Sequence, residues 1–192
     1  MLATCFRQRI IKQRAPCFFR YAVVVVSIFI ASAAYASENV ITEVGITEPG
    51  EPVPGGQAPD FLLSDLEQKP IRLSGFRGKP VVLNFFASWC SPCLLELPII
   101  QEAYLSATDA EFVVLGVSYQ DSRWAIEELA EDAGLTFPIV IDGDNSVGQA
   151  YRVIGPPYTF FIDAEGIIVE VVTGAMEQEI LQQNLKLLLK TT

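Results

Sequence analysis

Val81-Val82-Leu83-Asn84-Phe85-Phe86-Ala87-Ser88-Trp89-Cys90-Ser91-Pro92-Cys93 is the stretch that decides the fold of this chain. Its first six residues make a nearly unbroken apolar run, the pattern of a strand buried on both faces. Leu94-Leu95-Glu96-Leu97-Pro98-Ile99-Ile100 comes next and reads as a helix. Between strand and helix stand two thiols three positions apart, close enough to join within one helical turn. A Cys-x-x-Cys at such a junction is a two-electron redox switch. It is a poor structural staple, because so small a loop adds little to stability.

Composition narrows the chemistry further. The 192 residues suffice for one ordinary domain and a tail, and 51% apolar content allows a full core. The chain has no histidine. That excludes a Cys/His zinc finger, a His-based triad, a His metal ligand and haem attachment through Cys-x-x-Cys-His, since Leu94 stands where that His would be. Of four cysteines, Cys5 and Cys17 lie in the N-terminal segment. Cys90 and Cys93 alone are too few for a four-cysteine zinc site. Neither a metal nor a cofactor is expected.

Residues 1–36 read as a targeting segment. Arg7, Arg9, Lys12, Arg14 and Arg20 are followed by the apolar run Ala22 to Ala34 and by Ala34-Tyr35-Ala36, a small-x-small cleavage pattern. One reading is a signal peptide cut after Ala36. The other is an N-terminal membrane anchor, because the uncharged stretch from Tyr21 to Ser37 is 17 residues long, the lower limit for a spanning helix. Both place the rest of the chain on the periplasmic or another extracytoplasmic side, since the positive end stays inside. That remainder carries 8 basic and 23 acidic residues, a net charge of −15. So acidic a domain repels nucleic acid and anionic lipid. The acidity reads as solubility in preference to a basic partner.

Residues 37–56, rich in Glu, Pro and Gly, read as a linker. The domain is expected over 57–192. Its candidate strands are Phe61 to Leu63, Ile71 to Leu73, Val81 to Ala87, Glu111 to Ser118, Pro138 to Ile141, Tyr158 to Ile162 and Ile167 to Val172. The last two are joined by Asp163-Ala164-Glu165-Gly166, a hairpin signal. Helices are expected from near Ser91, over Ser122 to Ala133 with Ser122 as N-cap and Trp124, Ile126, Leu129 and Ala133 on the apolar side, and over Glu177 to Lys190. Ser146 to Tyr151 reads as a helical turn. The β-α-β-α-β order implies parallel strands. The terminal hairpin makes the sheet mixed, with helices on both faces.

At the redox pair, Cys90 is expected at the helix N-terminus, where free N–H groups and the helix dipole favour a thiolate. Such a setting lowers a thiol below its free value of ~8.5, so Cys90 is the expected nucleophile and Cys93 the more buried, resolving thiol. Pro92 suits the first turn. Glu96, three residues after Cys93, has two readings: a buried proton acceptor for Cys93, or a solvated surface carboxylate. Pro98 is expected to kink the helix. Gly155-Pro156-Pro157-Tyr158-Thr159-Phe160 reads either as an ordinary rigid loop or as a site of a cis X-Pro bond.

Taken together, these residues resemble the thioredoxin superfamily, and within it the extracytoplasmic TlpA/ResA/CcmG (DsbE) group. Leu83 to Cys93 is similar to that group's active-site strand and motif, with Glu96 and Pro98 matching the acid and proline that come after it. Pro157-Tyr158-Thr159-Phe160-Phe161-Ile162-Asp163 resembles its cis-proline segment, and Gly116-Val117-Ser118-Tyr119-Gln120-Asp121 the segment after the next strand in CcmG-type members. The resemblance runs from about Gly56 to the C-terminus. It implies an α/β fold, a thioredoxin-like three-layer α/β/α sandwich with a mixed central sheet and an N-terminal β extension. It implies a thiol–disulfide oxidoreductase, usually a reductant, with Cys90, Cys93 and Glu96 catalytic. Trp89, a cis Pro157 packed against the disulfide, and Tyr158 would contact substrate. The partners implied are a protein disulfide such as apocytochrome c, in cytochrome c maturation, and a membrane thiol-reductant donor of the DsbD/CcdA type. Tyr158 is a departure, since many members carry Glu or Thr there.

Two other functions compete. Gly56-Gln57-Ala58-Pro59-Asp60-Phe61 is an entry motif shared with peroxiredoxins, but the Pro and Thr that precede a peroxidatic Cys are missing ahead of Cys90. A copper metallochaperone of the Sco type would need wider Cys spacing and a His.

Overall fold

The computed structural model describes residues 51–107 and 111–190. The expected targeting segment, residues 1–36, lies outside the described residues, as does most of the expected linker. Among the described residues the elements are β1 (Leu62–Ser64), β2 (Pro70–Arg72), a 3-10 turn (Leu73–Phe76), β3 (Val81–Phe86), α1 (Ser91–Ser106), β4 (Val113–Tyr119), α2 (Arg123–Asp132), β5 (Ile139–Asp142), α3 (Ser146–Ala150), β6 (Tyr158–Ile162), β7 (Ile168–Thr173) and α4 (Gln178–Leu188). Each sequence-derived element is present, with ends shifted by a residue or two.

Five strands form one sheet in the order β5-β4-β3-β6-β7. β3 runs parallel to β4 and β4 to β5, while β6 and β7 are antiparallel to their neighbours. Every residue of β3 is buried, as a central strand covered on both faces requires. Alternation splits its side chains between two cores. Val81, Leu83 and Phe85 join a core with Phe61, Leu73, Val147, Tyr151 and Phe160. Val82 and Phe86 join the other core, with Cys93, Leu97 and Ile100 of α1, Ile126 of α2, and Leu181 and Leu188 of α4. The fold is therefore the mixed α/β/α sandwich that the resemblance implies. The period-2 rule places Asn84 on the α1 side of the sheet.

The N-terminal β extension crosses one sheet face from edge to edge. Glu51 to Gly56 fell within the expected linker, yet Gly55 N donates to Ile168 O and Ile168 N to Gly56 O, both next to β7. Gln57 pairs with Ile167, and Asp65 at the far end pairs with Val140 of β5. Each sheet edge thus has part of its backbone engaged, Ile167 and Ile168 on one side and Val140 on the other, which shortens the edge open to pairing. The composition of residues 51–56 suggested a linker, but the β7 edge offers partners that their backbone satisfies.

Tyr151 pins this extension to the core. Its ring packs edge-on against Phe61 and Phe160, and its hydroxyl donates to Pro59 O at 2.8 Å. Burial pushes the phenol well above its usual range, so it serves as a neutral donor. Tyr151→Phe leaves the Pro59 carbonyl without that donor in a buried setting. A loss of about 1–3 kcal/mol in unfolding free energy is expected by urea titration, since an unsatisfied buried acceptor costs that much.

Helix faces follow their spacing with two corrections. In α2 the buried or half-buried line is Ile126, Leu129 and Ala130, and Ser122 caps the helix by accepting from Ala125 N at 3.2 Å. Trp124, expected on the apolar face, is 70% exposed, and Ala133 is exposed as well. Trp124 lies two residues from Ile126, about 200° around the helix, and so faces away from the sheet. No helix of the described residues is long and apolar enough to cross a membrane.

Candidate active site

The site sits where β3 ends and α1 begins. Cys90 is the N-cap residue of α1, with extended backbone. It is joined to Cys93 by a disulfide with an S–S distance of 2.02 Å and a Cα–Cα distance of 5.3 Å. Pro92 occupies the first turn, where its missing N–H is not needed. Cys93 N points at Cys90 Sγ, 3.2 Å away, so a helix-end N–H stands ready for negative charge on that sulfur. Cys90 keeps 4% of its surface and Cys93 none, the order that the spacing suggested.

The turn before the disulfide is held from the segment between β4 and α2. Asp121 Oδ2 accepts from Ser88 N at 2.8 Å and from Ser88 Oγ at 2.7 Å, while Oδ1 accepts from Ser122 N at 2.7 Å. One carboxylate thus ties the β3–α1 turn to the start of α2. Trp89 follows Ser88, packs against Tyr119 at 6.4 Å, and remains 58% exposed. Leu94, Leu95 and Ile154 are further exposed apolar side chains close in sequence to the cysteines or to Pro156.

On the other side stands the segment before β6. The Pro156–Pro157 bond is cis, which settles the choice between an ordinary loop and a cis proline. The Pro156 carbonyl oxygen lies 3.5 Å from Cys90 Sγ. Pro157 is buried, and Tyr158 is half-buried at the start of β6, its ring stacked over Phe160 at 6.3 Å. Trp89, the disulfide and the cis-proline segment thus come together at one end of the central strands, after β3 and before β6.

Glu96 is the residue whose setting the sequence left open. It faces inward and is fully buried, while its neighbours Leu94 and Leu95 face out. Asn84 Nδ2 donates to its Oε1 at 2.8 Å, and Met176 N donates to its Oε2 at 2.8 Å. Burial raises the carboxyl from 4.5 to about 7, against the pull of those two hydrogen bonds. The solvated-surface reading is therefore set aside. A buried carboxyl one turn beyond Cys93, half-ionised near neutrality, can take up or release a proton there.

Asn84, Thr159 and Asp121 went unremarked as site residues in the sequence. Asn84 Nδ2 also donates to Thr159 Oγ1 at 2.9 Å, so β3, β6 and α1 meet through one amide. The available signal was a lone polar residue inside the apolar run Val81 to Phe86. Buried polar groups of that kind are expected to have partners.

Comparison with known proteins agrees with this geometry. Residues 54–171 match the AhpC/TSA family. The thiol-disulfide oxidoreductase ResA of Geobacillus thermodenitrificans (strain NG80-2) is 43% identical over 129 residues, which cover 67% of this chain and 74% of ResA. The structure of MTB dsbF in its mixed oxidized and reduced forms superposes with a TM-score of 0.62 at 30% identity, covering 67% of this chain and 94% of that one. The pneumococcal exposed lipoprotein thioredoxin Etrx1 from Streptococcus pneumoniae strain TIGR4 gives a TM-score of 0.57 at 36% identity, covering 66% and 98%. A thioredoxin-like sandwich, a disulfide at the head of α1 and relatives of this kind make the chain a member of the AhpC/TSA family, and within it a thiol–disulfide oxidoreductase like ResA.

Proposed function

We propose that the protein works outside the cytoplasm as a reductant of protein disulfides, with Cys90 as nucleophile, Cys93 as resolving thiol and Glu96 as proton acceptor. The observation that carries this reading is the carboxyl of Glu96, buried one turn beyond Cys93 with a proton affinity raised to about 7. A carboxylate held so near neutrality is costly to keep, and thiol chemistry at Cys93 gives it a use.

In the reduced protein the Cys90 thiolate attacks one sulfur of a substrate disulfide. A Cys90–substrate disulfide forms and the other substrate sulfur leaves as a thiolate, which takes a proton from water. Cys93 then passes its proton to Glu96 and attacks Cys90 Sγ. The Cys90–Cys93 bond forms and the second substrate sulfur leaves. Two electrons have moved from the protein to the substrate, and a dithiol donor restores them. A membrane donor of the DsbD/CcdA type fits an extracytoplasmic site. Trp89, Pro157 and Tyr158 wall the cleft that the substrate enters. The exposed setting of Etrx1, given in its name, supports the extracytoplasmic reading, as do residues 1–36 as targeting segment or anchor.

The substrate class that fits is a Cys-x-x-Cys-His disulfide of an apocytochrome c, awaiting haem. Stopped-flow oxidation of the reduced protein, followed by tryptophan fluorescence, tests this choice. An oxidised Cys-x-x-Cys-His peptide is expected to react at least about tenfold faster than insulin, a difference of about 1.4 kcal/mol in transition-state binding. Equal rates would make the protein a general reductant and remove the cytochrome c assignment.

A further inference from the structure

Asn84 Oδ1 is buried without a hydrogen-bond partner among the described residues, although its Nδ2 serves two acceptors at once. A buried amide with one half doubly used and the other idle needs a reason. The reason lies in what Glu96 faces. Donors point at both of its oxygens, Asn84 Nδ2 at Oε1 and Met176 N at Oε2. That arrangement suits the charged carboxylate. It gives the neutral acid no acceptor for its O–H, and an unpaired buried hydroxyl is costly. Yet the carboxyl must exist in both forms if it is to take the Cys93 proton and pass it on.

We propose that Asn84 is a positioning residue whose side-chain amide turns over when Glu96 gains its proton, with the Thr159 hydroxyl as partner in both orientations. With Glu96 ionised, Asn84 Nδ2 donates to Glu96 Oε1 and to Thr159 Oγ1, as in the structure. With Glu96 protonated, a half-turn of the amide brings Oδ1 to the same place. It then accepts from the Glu96 O–H and from the Thr159 O–H, which can reverse because a hydroxyl both donates and accepts. Met176 N goes on donating to Oε2. One atom of the amide is idle in each state, and the idle side alternates. No proton leaves the cluster by this turn; it only keeps each form of the acid paired.

The groups around Glu96 leave the task to this amide. β3 presents Asn84, β6 presents Thr159, and the segment before α4 presents the Met176 N–H, none of which titrates. On α1 the thiol group one turn away is Cys93, tied up in the disulfide in this form. No charged side chain contributes to the shift of Glu96.

The inference rests on Glu96 as the proton acceptor, and its test keeps the two apart. In the full chain, NMR is used to follow contacts from the Asn84 amide hydrogens to the Thr159 methyl between pH 5 and pH 9. Those contacts are expected at high pH and lost at low pH, with the midpoint of the Glu96 carboxyl carbon. In parallel, the pH dependence of substrate disulfide reduction is measured for Asn84→Ala and Thr159→Val. Asn84 pairs both forms, but the ionised one more strongly, because a hydrogen bond to a charged group is the stronger of the two. The break in this rate is therefore expected to move up in Asn84→Ala by less than about one pH unit, the shift that loss of a donor fixed on the carboxylate would give. Thr159→Val is expected to move it in part and Thr159→Ser to restore it. Amide contacts unchanged across the Glu96 titration, or a break that stays put in both variants, would overturn the inference. Should Asn84→Ala not fold, the wild-type NMR titration and Thr159→Val decide alone. If Glu96→Gln itself leaves substrate disulfide reduction unaltered, the proton-acceptor reading fails first.

Discussion

Cys90→Ser is expected to bring disulfide reduction down to the rate without protein, while Cys93→Ser keeps the first exchange and stops there. The reason is access and charge together. Cys93 has no exposed surface, so a substrate disulfide cannot reach it directly. Cys90 lies at the head of α1, with the Cys93 N–H aimed at its sulfur and the Pro156 carbonyl on its other side. A serine hydroxyl there stays un-ionised at neutral pH, and the helix end cannot make up the difference. Insulin reduction followed by turbidity, with dithiothreitol as donor, measures the loss. Thermal melts should show little change, because the disulfide closes a very short loop. A Cys90→Ser protein that still reduces insulin at a substantial fraction of the wild-type rate would remove Cys90 from the chemistry.

Glu96→Gln has the second-largest expected effect, and it acts on both rate and stability. Glutamine cannot accept the Cys93 proton, so resolution of the mixed disulfide should slow by about 10²-fold or more, the usual span for losing a positioned base. Wild-type resolution should rise with pH through the Glu96 value of about 7, where the carboxylate becomes available. The variant should lack that rise. The stability effect has the opposite sense. The folded value of about 7 lies above the ordinary 4.5, so between those values the folded protein holds a proton that the unfolded chain has lost. Stability therefore falls as pH climbs from about 4.5 to about 7 and levels off above. The gap corresponds to roughly 3 kcal/mol. Glutamine does not ionise, so Glu96→Gln should match wild type near pH 4 and exceed it at pH 8, read from urea midpoints. A rotated Asn84 amide could accept from the new Nε2 while Met176 N still donates to Oε1, so the variant leaves neither group stranded.

The fold was legible because its strongest signals are periodic. β3 is a short, nearly continuous apolar run, and a strand buried on both faces reads that way. The β6–β7 hairpin announced itself through Asp163 to Gly166. Gly166 takes φ 83 there, and Asp163 Oδ1 accepts from Ile167 N at 2.7 Å. The redox pair needed only its spacing and its place at a strand-to-helix junction. Periodicity failed where function reverses the pattern. In α1, Leu94 and Leu95 face out and Glu96 faces in, against the usual rule for a helix on a sheet. Spacing can put Glu96 on the face of Cys93, but it cannot say that the face is the buried one. The Asn84–Thr159–Glu96 contact joins residues 12 and 75 positions apart. No local pattern carries such a contact, and only the strand order brings it about. Trp124 differs for a simpler reason: its apolar character suggests the buried side, while its angle on α2 points to solvent.

The central claim, a nucleophile at Cys90 resolved by Cys93, is tested most directly by trapping the mixed disulfide. Reduced Cys93→Ala and Cys90→Ala proteins are mixed with an oxidised Cys-x-x-Cys peptide, alkylated and mapped by mass spectrometry. A stable adduct on Cys90 in the first and none on Cys93 in the second is the expected result. An adduct on Cys93, or none on Cys90, would contradict the account.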